Sequence, residues 1–143
     1  MLRVLKVIGN EFLCCTTSRR QHRLLATAGP IIGSTSIEPS SSARNLGVFI
    51  DSDLSMETHV KRTVSRCFST LRQLRSIRRQ EPTAVFQSLI VALVLSRLDY
   101  CNSVLAGLPV NLIRRLQSVQ NAAARLTFGF GSSEHITDAL ATR

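Results

Sequence analysis

The chain has 143 residues, no tryptophan, 5% aromatic and 44% hydrophobic content. This is enough for one core of Leu, Val, Ile and Ala, and it suits helices packed through aliphatic ridges better than an aromatic-rich β-sandwich. Eighteen Lys and Arg stand against nine Asp and Glu, a formal charge of +9 with a pI near 11.0. That surplus favours a polyanionic partner, nucleic acid first, over the plainer reading of a solvated basic face.

From Met1 to Gly9 apolar and basic residues alternate, without the unbroken apolar segment of a signal peptide. Residues 1–28 otherwise read poorly, apart from a strand expected at 11–17 (Glu11-Phe12-Leu13-Cys14-Cys15-Thr16-Thr17). Ser18-Arg19-Arg20-Gln21-His22-Arg23 reads as an exposed basic loop. A second β-like segment, Ile31 to Ile37, is bounded by Gly29-Pro30 and by the turn residues Glu38-Pro39-Ser40-Ser41-Ser42. A third runs over Ala43–Asp51, where Leu46, Val48 and Ile50 alternate with Asn45, Gly47, Phe49 and Asp51. Gly47 is expected to mark a bulge or a place where another backbone comes close, and Ile31–Ile37 is expected to pair with Arg44–Asp51 as a hairpin. Asp51, Ser52, Asp53 and Ser55 supply turn and helix-start chemistry, with Ser55 as the expected N-cap. Asp51 and Asp53 are read as turn residues before metal ligands, because a hard divalent ion needs further oxygens.

The first helix carries Val60, Val64, Cys67, Phe68, Leu71, Leu74 and Ile77 at steps of three and four, which is one buried stripe. Lys61, Arg62, Arg66, Arg72, Arg75, Arg78 and Arg79 fill the remaining surface, with no acid between Glu57 and Glu81. Cations at helical spacing repel, and a phosphate backbone would relieve that cost. Pro82 opens a second helix with a broad apolar face, Val85, Phe86, Leu89, Ile90, Leu93, Val94 and Leu98. Tyr100 is expected to be half-buried. Gly107-Leu108-Pro109 stops the segment. Asn111 is expected to cap a third helix with Leu112, Ile113, Leu116, Val119, Ala123 and Leu126 inside and Arg114, Arg115 and Arg125 outside, ending at Gly129-Phe130-Gly131. Ser133 to Asp138 reads as the start of another helix. The run Leu89–Leu95 is far short of the ~20 residues that cross a bilayer, so no membrane span is expected.

Cys14, Cys15, Cys67 and Cys101 imply neither a disulfide framework nor a zinc site, which fits a reducing compartment, cytoplasmic or nuclear. Cys67 and Cys101 are expected to act as small core hydrophobes. His22, His59 and His135 are scattered and read as exposed or capping. No phosphate-binding glycine loop, nucleophile elbow or metal-protease motif occurs, so no catalytic residue, metal or cofactor is expected.

Four pieces then occur in order: Ser42-Ala43-Arg44-Asn45-Leu46-Gly47-Val48-Phe49-Ile50-Asp51; Ser96-Arg97-Leu98-Asp99-Tyr100-Cys101-Asn102 with Leu105-Ala106-Gly107-Leu108-Pro109; Leu116-Gln117-Ser118-Val119-Gln120-Asn121-Ala122-Ala123-Ala124-Arg125; and Glu134-His135-Ile136-Thr137. Together they resemble the C-terminal part of the reverse transcriptase of LINE-type non-LTR retrotransposons, over roughly residues 11–140. The resemblance implies that Arg44, Asn45, Leu46, Gly47 and Val48 correspond to the primer-grip hairpin after the palm. It implies that the helices correspond to the thumb, with the cations of helix one toward the template–primer duplex. The family's polymerase chemistry needs metal-binding aspartates, two of them in a Tyr/Phe-x-Asp-Asp turn, and no such turn is present in these 143 residues.

The expected fold is therefore mainly α, a thumb-like bundle of about three helices preceded by a short β-hairpin remnant of the palm. Its parts are a poorly matched segment 1–28, the hairpin region 29–55, the helical module 56–128 and an altered, truncated tail 129–143. The expected function is a catalytically inactive fragment of an RNA-directed DNA polymerase that binds RNA or DNA, duplex or single strand, through its backbone. The alternatives are a helical scaffold that takes a protein partner on the apolar helix 82–98, or an unstable product of a decayed element.

Overall fold

The computed structural model describes residues 4–8, 11–16, 31–100 and 105–129. Expectations for the basic loop 18–23, His22, Cys101, His135, the helix start at 133–138 and the tail beyond Gly129 lie outside the described residues. The fold is mainly helical, three helices preceded by short antiparallel hairpins. It divides into two compact units, residues 1–59 and 60–143.

In the first unit, β1 (Val4–Ile8) pairs antiparallel with β2 (Glu11–Cys15), Val4 opposite Cys15 and Ile8 opposite Glu11. The alternation noted in Met1–Gly9 is thus the trace of a strand that the sequence reading did not assign. β3 (Ile31–Ile32) and β4 (Thr35–Ser36) form a minimal hairpin of their own. β5 (Ser42–Asn45) pairs with β6 (Val48–Asp51), Asn45 facing Val48 across the two-residue turn Leu46-Gly47. The expected pairing of Ile31–Ile37 with Arg44–Asp51 is therefore replaced by a hairpin folded within 42–51. The cause is local. Leu46 and Gly47 have φ of 48° and 85°, and positive φ at both central positions makes the tight turn whose twist matches antiparallel strands. Gly47 is a turn residue, not a bulge. Leu13, Cys15 and Ala43 form a small core with Ile50 against it. Ser40 N–H donates to the Phe12 carbonyl (2.8 Å) and Ser52 N–H to Ser41 (2.8 Å), which stitches the segments together.

α1 (Glu57–Ile77) starts from a cap that the strand supplies. The buried Asp51 carboxylate accepts from Thr58 N–H at 3.0 Å and from Ser55 Oγ at 3.2 Å, while Asp53 Oδ1 accepts from Ser55 N–H at 2.9 Å. Ser55 Oγ accepts only a longer bond from Glu57 N–H, 3.4 Å. The capping load falls on Asp51, whose charge also suits the positive helix end. Both aspartates thus take the turn-and-cap roles read from the sequence.

His59 is buried at 6% exposure, neither exposed nor a cap, and its Nδ1 accepts from Phe49 N–H at 3.4 Å. Burial lowers its pKa below the usual 6.5, opposed by the nearby Asp51 charge. The folded state therefore takes up its proton later than the unfolded chain does. The stability His59 contributes is complete above about pH 6.5 and is lost as pH falls from there toward the folded value. Melting at pH 7.5 and 5.5 checks this. The wild type is expected to lose more on acidification than His59→Gln, which keeps an acceptor but does not titrate.

The second unit packs three helices around one core. α1 contributes Cys67, Leu71 and Leu74, with Val64, Phe68 and Ile77 partly buried beside them, so its stripe is as read from the sequence. Cys67 is wholly enclosed, and burial pushes its thiol pKa up against the opposing charge of Arg97. α2 comprises Thr83–Ile90, a π-helical segment Val91–Leu95 and a last turn Ser96–Asp99. Its buried residues are Phe86, Ile90, Val94 and Leu98, every fourth position. At 3.6 residues per turn each four-residue step overshoots by about 40°. A wider π turn takes back part of that drift and holds the series on one face. Leu93, within the π segment, and Val85 (45% exposed), ahead of it, lie on the outside, which narrows the face expected from the sequence. Tyr100 is 54% exposed. α3 (Val110–Phe128) follows Pro109, so Asn111 lies within its first turn and is not its cap. Val119 and Ala123 enter the core, whereas Ile113 is exposed. Gly129, at φ 72°, closes the helix through its N–H to the Arg125 carbonyl, 2.9 Å.

Candidate nucleic-acid interface

Between Val60 and Gly129 the acidic residues are Glu81 and Asp99 alone, against eleven Lys and Arg. The structure sorts these cations. Arg72 and Arg75 on the last turns of α1, and Arg78 and Arg79 just beyond it, line a groove of about 640 Å³ together with Arg125 of α3. Its apolar lining comes from Phe68, Leu71, Ala122 and Leu126. The arginine stems can cover this apolar surface while their guanidinium heads reach water. Lys61, Arg62 and Arg66 are exposed nearer the start of α1 and do not line the groove. Lys61 and Arg62 are moreover partnered, so the expectation that every cation of this helix stands alone is corrected there.

Arg78 differs from its neighbours. Its Nη1 and Nη2 donate to the Leu126 and Thr127 carbonyls at 2.8 and 3.3 Å, and its guanidinium carbon lies 5.5 Å from the centroid of the Phe86 ring. It satisfies carbonyls left over at the C-terminal end of α3 and meets that end's negative dipole. A Cβ on Gly129 would stand 3.1 Å from Nη2, so the glycine gives this guanidinium room as well as taking a positive φ. Arg78 is thus a tie between helices, not the free surface cation the sequence suggested.

From the sequence, Arg125 belongs only to α3's polar face. It is half-buried, lines the groove, and its Nε is the one buried side-chain polar atom without a partner among the described residues. No single-sequence signal marks it, because its position depends on how α3 lies along α1.

No protein-family model, curated protein or solved structure matches the chain. The site therefore rests on its own geometry.

The five residues likened to a primer grip form one continuous hairpin tip. Arg44 faces Phe49 across the ladder, with its guanidinium carbon 6.0 Å from the ring centroid, and Leu46 projects at the turn with 84% exposure. They belong to the first unit, the arginine groove to the second. Among the described residues no cluster of three His, Cys, Asp or Glu could hold a metal, and no helix is long and apolar enough to cross a membrane.

Proposed function

We propose that this chain is related to the C-terminal part of the LINE-type reverse transcriptases, and that its helical unit binds nucleic-acid backbone. The observation that carries the binding is the gathering of Arg72, Arg75, Arg79 and Arg125 along one groove, with two acids in the whole stretch from Val60 to Gly129. Guanidinium groups match phosphate oxygens in geometry and remain charged at any physiological pH. The ordered motifs support the family, and these 143 residues contain no Asp-Asp turn that could hold the polymerase metals.

Binding of this kind is sequence-tolerant and salt-dependent, because each phosphate neutralised releases counterions. Titrating a labelled duplex at increasing salt is expected to give a straight line of log affinity against log salt. For four groove contacts the slope is about −3 to −4. A flat line would refute the backbone reading. A second reading has its own observation, since Val85, Val91 and Leu93 leave apolar surface exposed on α2. A protein partner seated there would respond little to ionic strength.

A further inference from the structure

We infer that the arginine groove is a discrete site for the polyphosphate of a nucleotide, either free or as the 5′ end of a strand. The inference builds on the phosphate-binding reading of the same groove and names what fills it.

Volume is the first argument. At about 640 Å³ the groove, although open to solvent, has room for a polyphosphate chain, whereas contact with a passing backbone needs only a charged stripe. Charge density is the second. Arg78 is committed to the carbonyls of Leu126 and Thr127, which leaves Arg72, Arg75, Arg79 and Arg125 facing one ligand. Arg72 to Arg79 spans about 10 Å at 1.5 Å per residue, and each strand of a duplex brings one charge per about 3.4 Å of axis, so roughly three phosphodiesters lie alongside these groups. A polyphosphate chain delivers more charge in less length. The third argument is the buried Nε of Arg125 with no acceptor. Leaving a charged group's donor unsatisfied is costly, and a small movement of this half-buried side chain toward an anion in the groove would give it an acceptor. The apolar lining by Phe68 and Leu126 then offers a surface on which a base or ribose can rest.

The test uses the full chain and one labelled single strand prepared with a 5′-hydroxyl or a 5′-triphosphate end. Fluorescence anisotropy is expected to show about tenfold tighter binding of the triphosphate end, the gain of one good charge-assisted contact. Arg125→Lys keeps the charge but loses the fork, and it is expected to bring the ratio of the two affinities close to one. Arg75→Gln provides a second variant should the first not fold, as judged by circular dichroism. Adding free ATP separates the sources. Competition as strong as that of the strand end assigns the site to the nucleotide itself, and weak competition assigns it to the end, with the site upheld either way. Equal affinity for the two ends overturns the inference, and a persisting salt slope on the 5′-hydroxyl strand then leaves the backbone reading standing. Loss of that slope with retention of the triphosphate preference does the reverse. Equal displacement by an oligo-glutamate peptide of matched charge would show an acidic-peptide groove and overturn the inference as well.

Discussion

Replacing Arg66, Arg72, Arg75 and Arg79 together by Gln is expected to reduce duplex affinity on the order of a thousandfold at 0.1 M salt, uniformly across sequences. The figure follows from the loss of about 0.9 in salt slope per phosphate contact removed, four contacts in all. Three of the four line the groove and Arg66 does not, so the effect is expected to be unequal. The triple variant at Arg72, Arg75 and Arg79 is expected to take most of the slope, and Arg66→Gln alone at most one unit of it. Gln keeps the length and helix propensity of the side chain, so the fold is expected to remain. Isothermal or anisotropy titration at three salt concentrations checks the result. An unchanged slope in the quadruple variant would remove these arginines from any phosphate contact.

Phe86→Ala is the second large effect. Phe86 is 1% exposed, sits in the three-helix core and carries the Arg78 guanidinium on its ring. Truncation leaves a cavity and removes the surface beneath Arg78, and a cost of about 3 to 5 kcal/mol is expected. For a unit of this size that corresponds to a fall in Tm of roughly 15 °C or more. The neighbouring Val85→Ala is the control, because Val85 is largely outside and should change stability by less than about 0.5 kcal/mol. Equal losses from the two would mean that the apolar face is as broad as its sequence suggests and that the π turn does not select among its residues. Thermal unfolding followed by circular dichroism at 222 nm distinguishes the cases.

The hairpin and the helices were legible to different depths. The α1 stripe from Val64 to Ile77 could be read in full, because period and burial agree along a straight α-helix. On α2 the same reasoning overcounted, since a π turn changes the period mid-helix and no residue type announces it. The strand partners were misassigned because a two-residue turn at Leu46-Gly47 closes the hairpin locally, with Leu46 held at a positive φ that its side chain does not favour. His59 could not be placed from its neighbours in sequence, since what buries it includes the strand bearing Phe49, ten residues earlier.

Charge excess, absence of the aspartate turn, a helical second half and the position of its C-terminal glycine are properties of composition and short-range pattern, and the chain alone fixed them. Folding chose which arginines act together. Arg78 and Arg125 stand 47 positions apart, and one became a tie to helix carbonyls while the other became a buried donor in a groove. That division depends on where two helices meet, and the energy of a guanidinium is set by the oxygen atoms within its reach, which a linear order of residues does not specify.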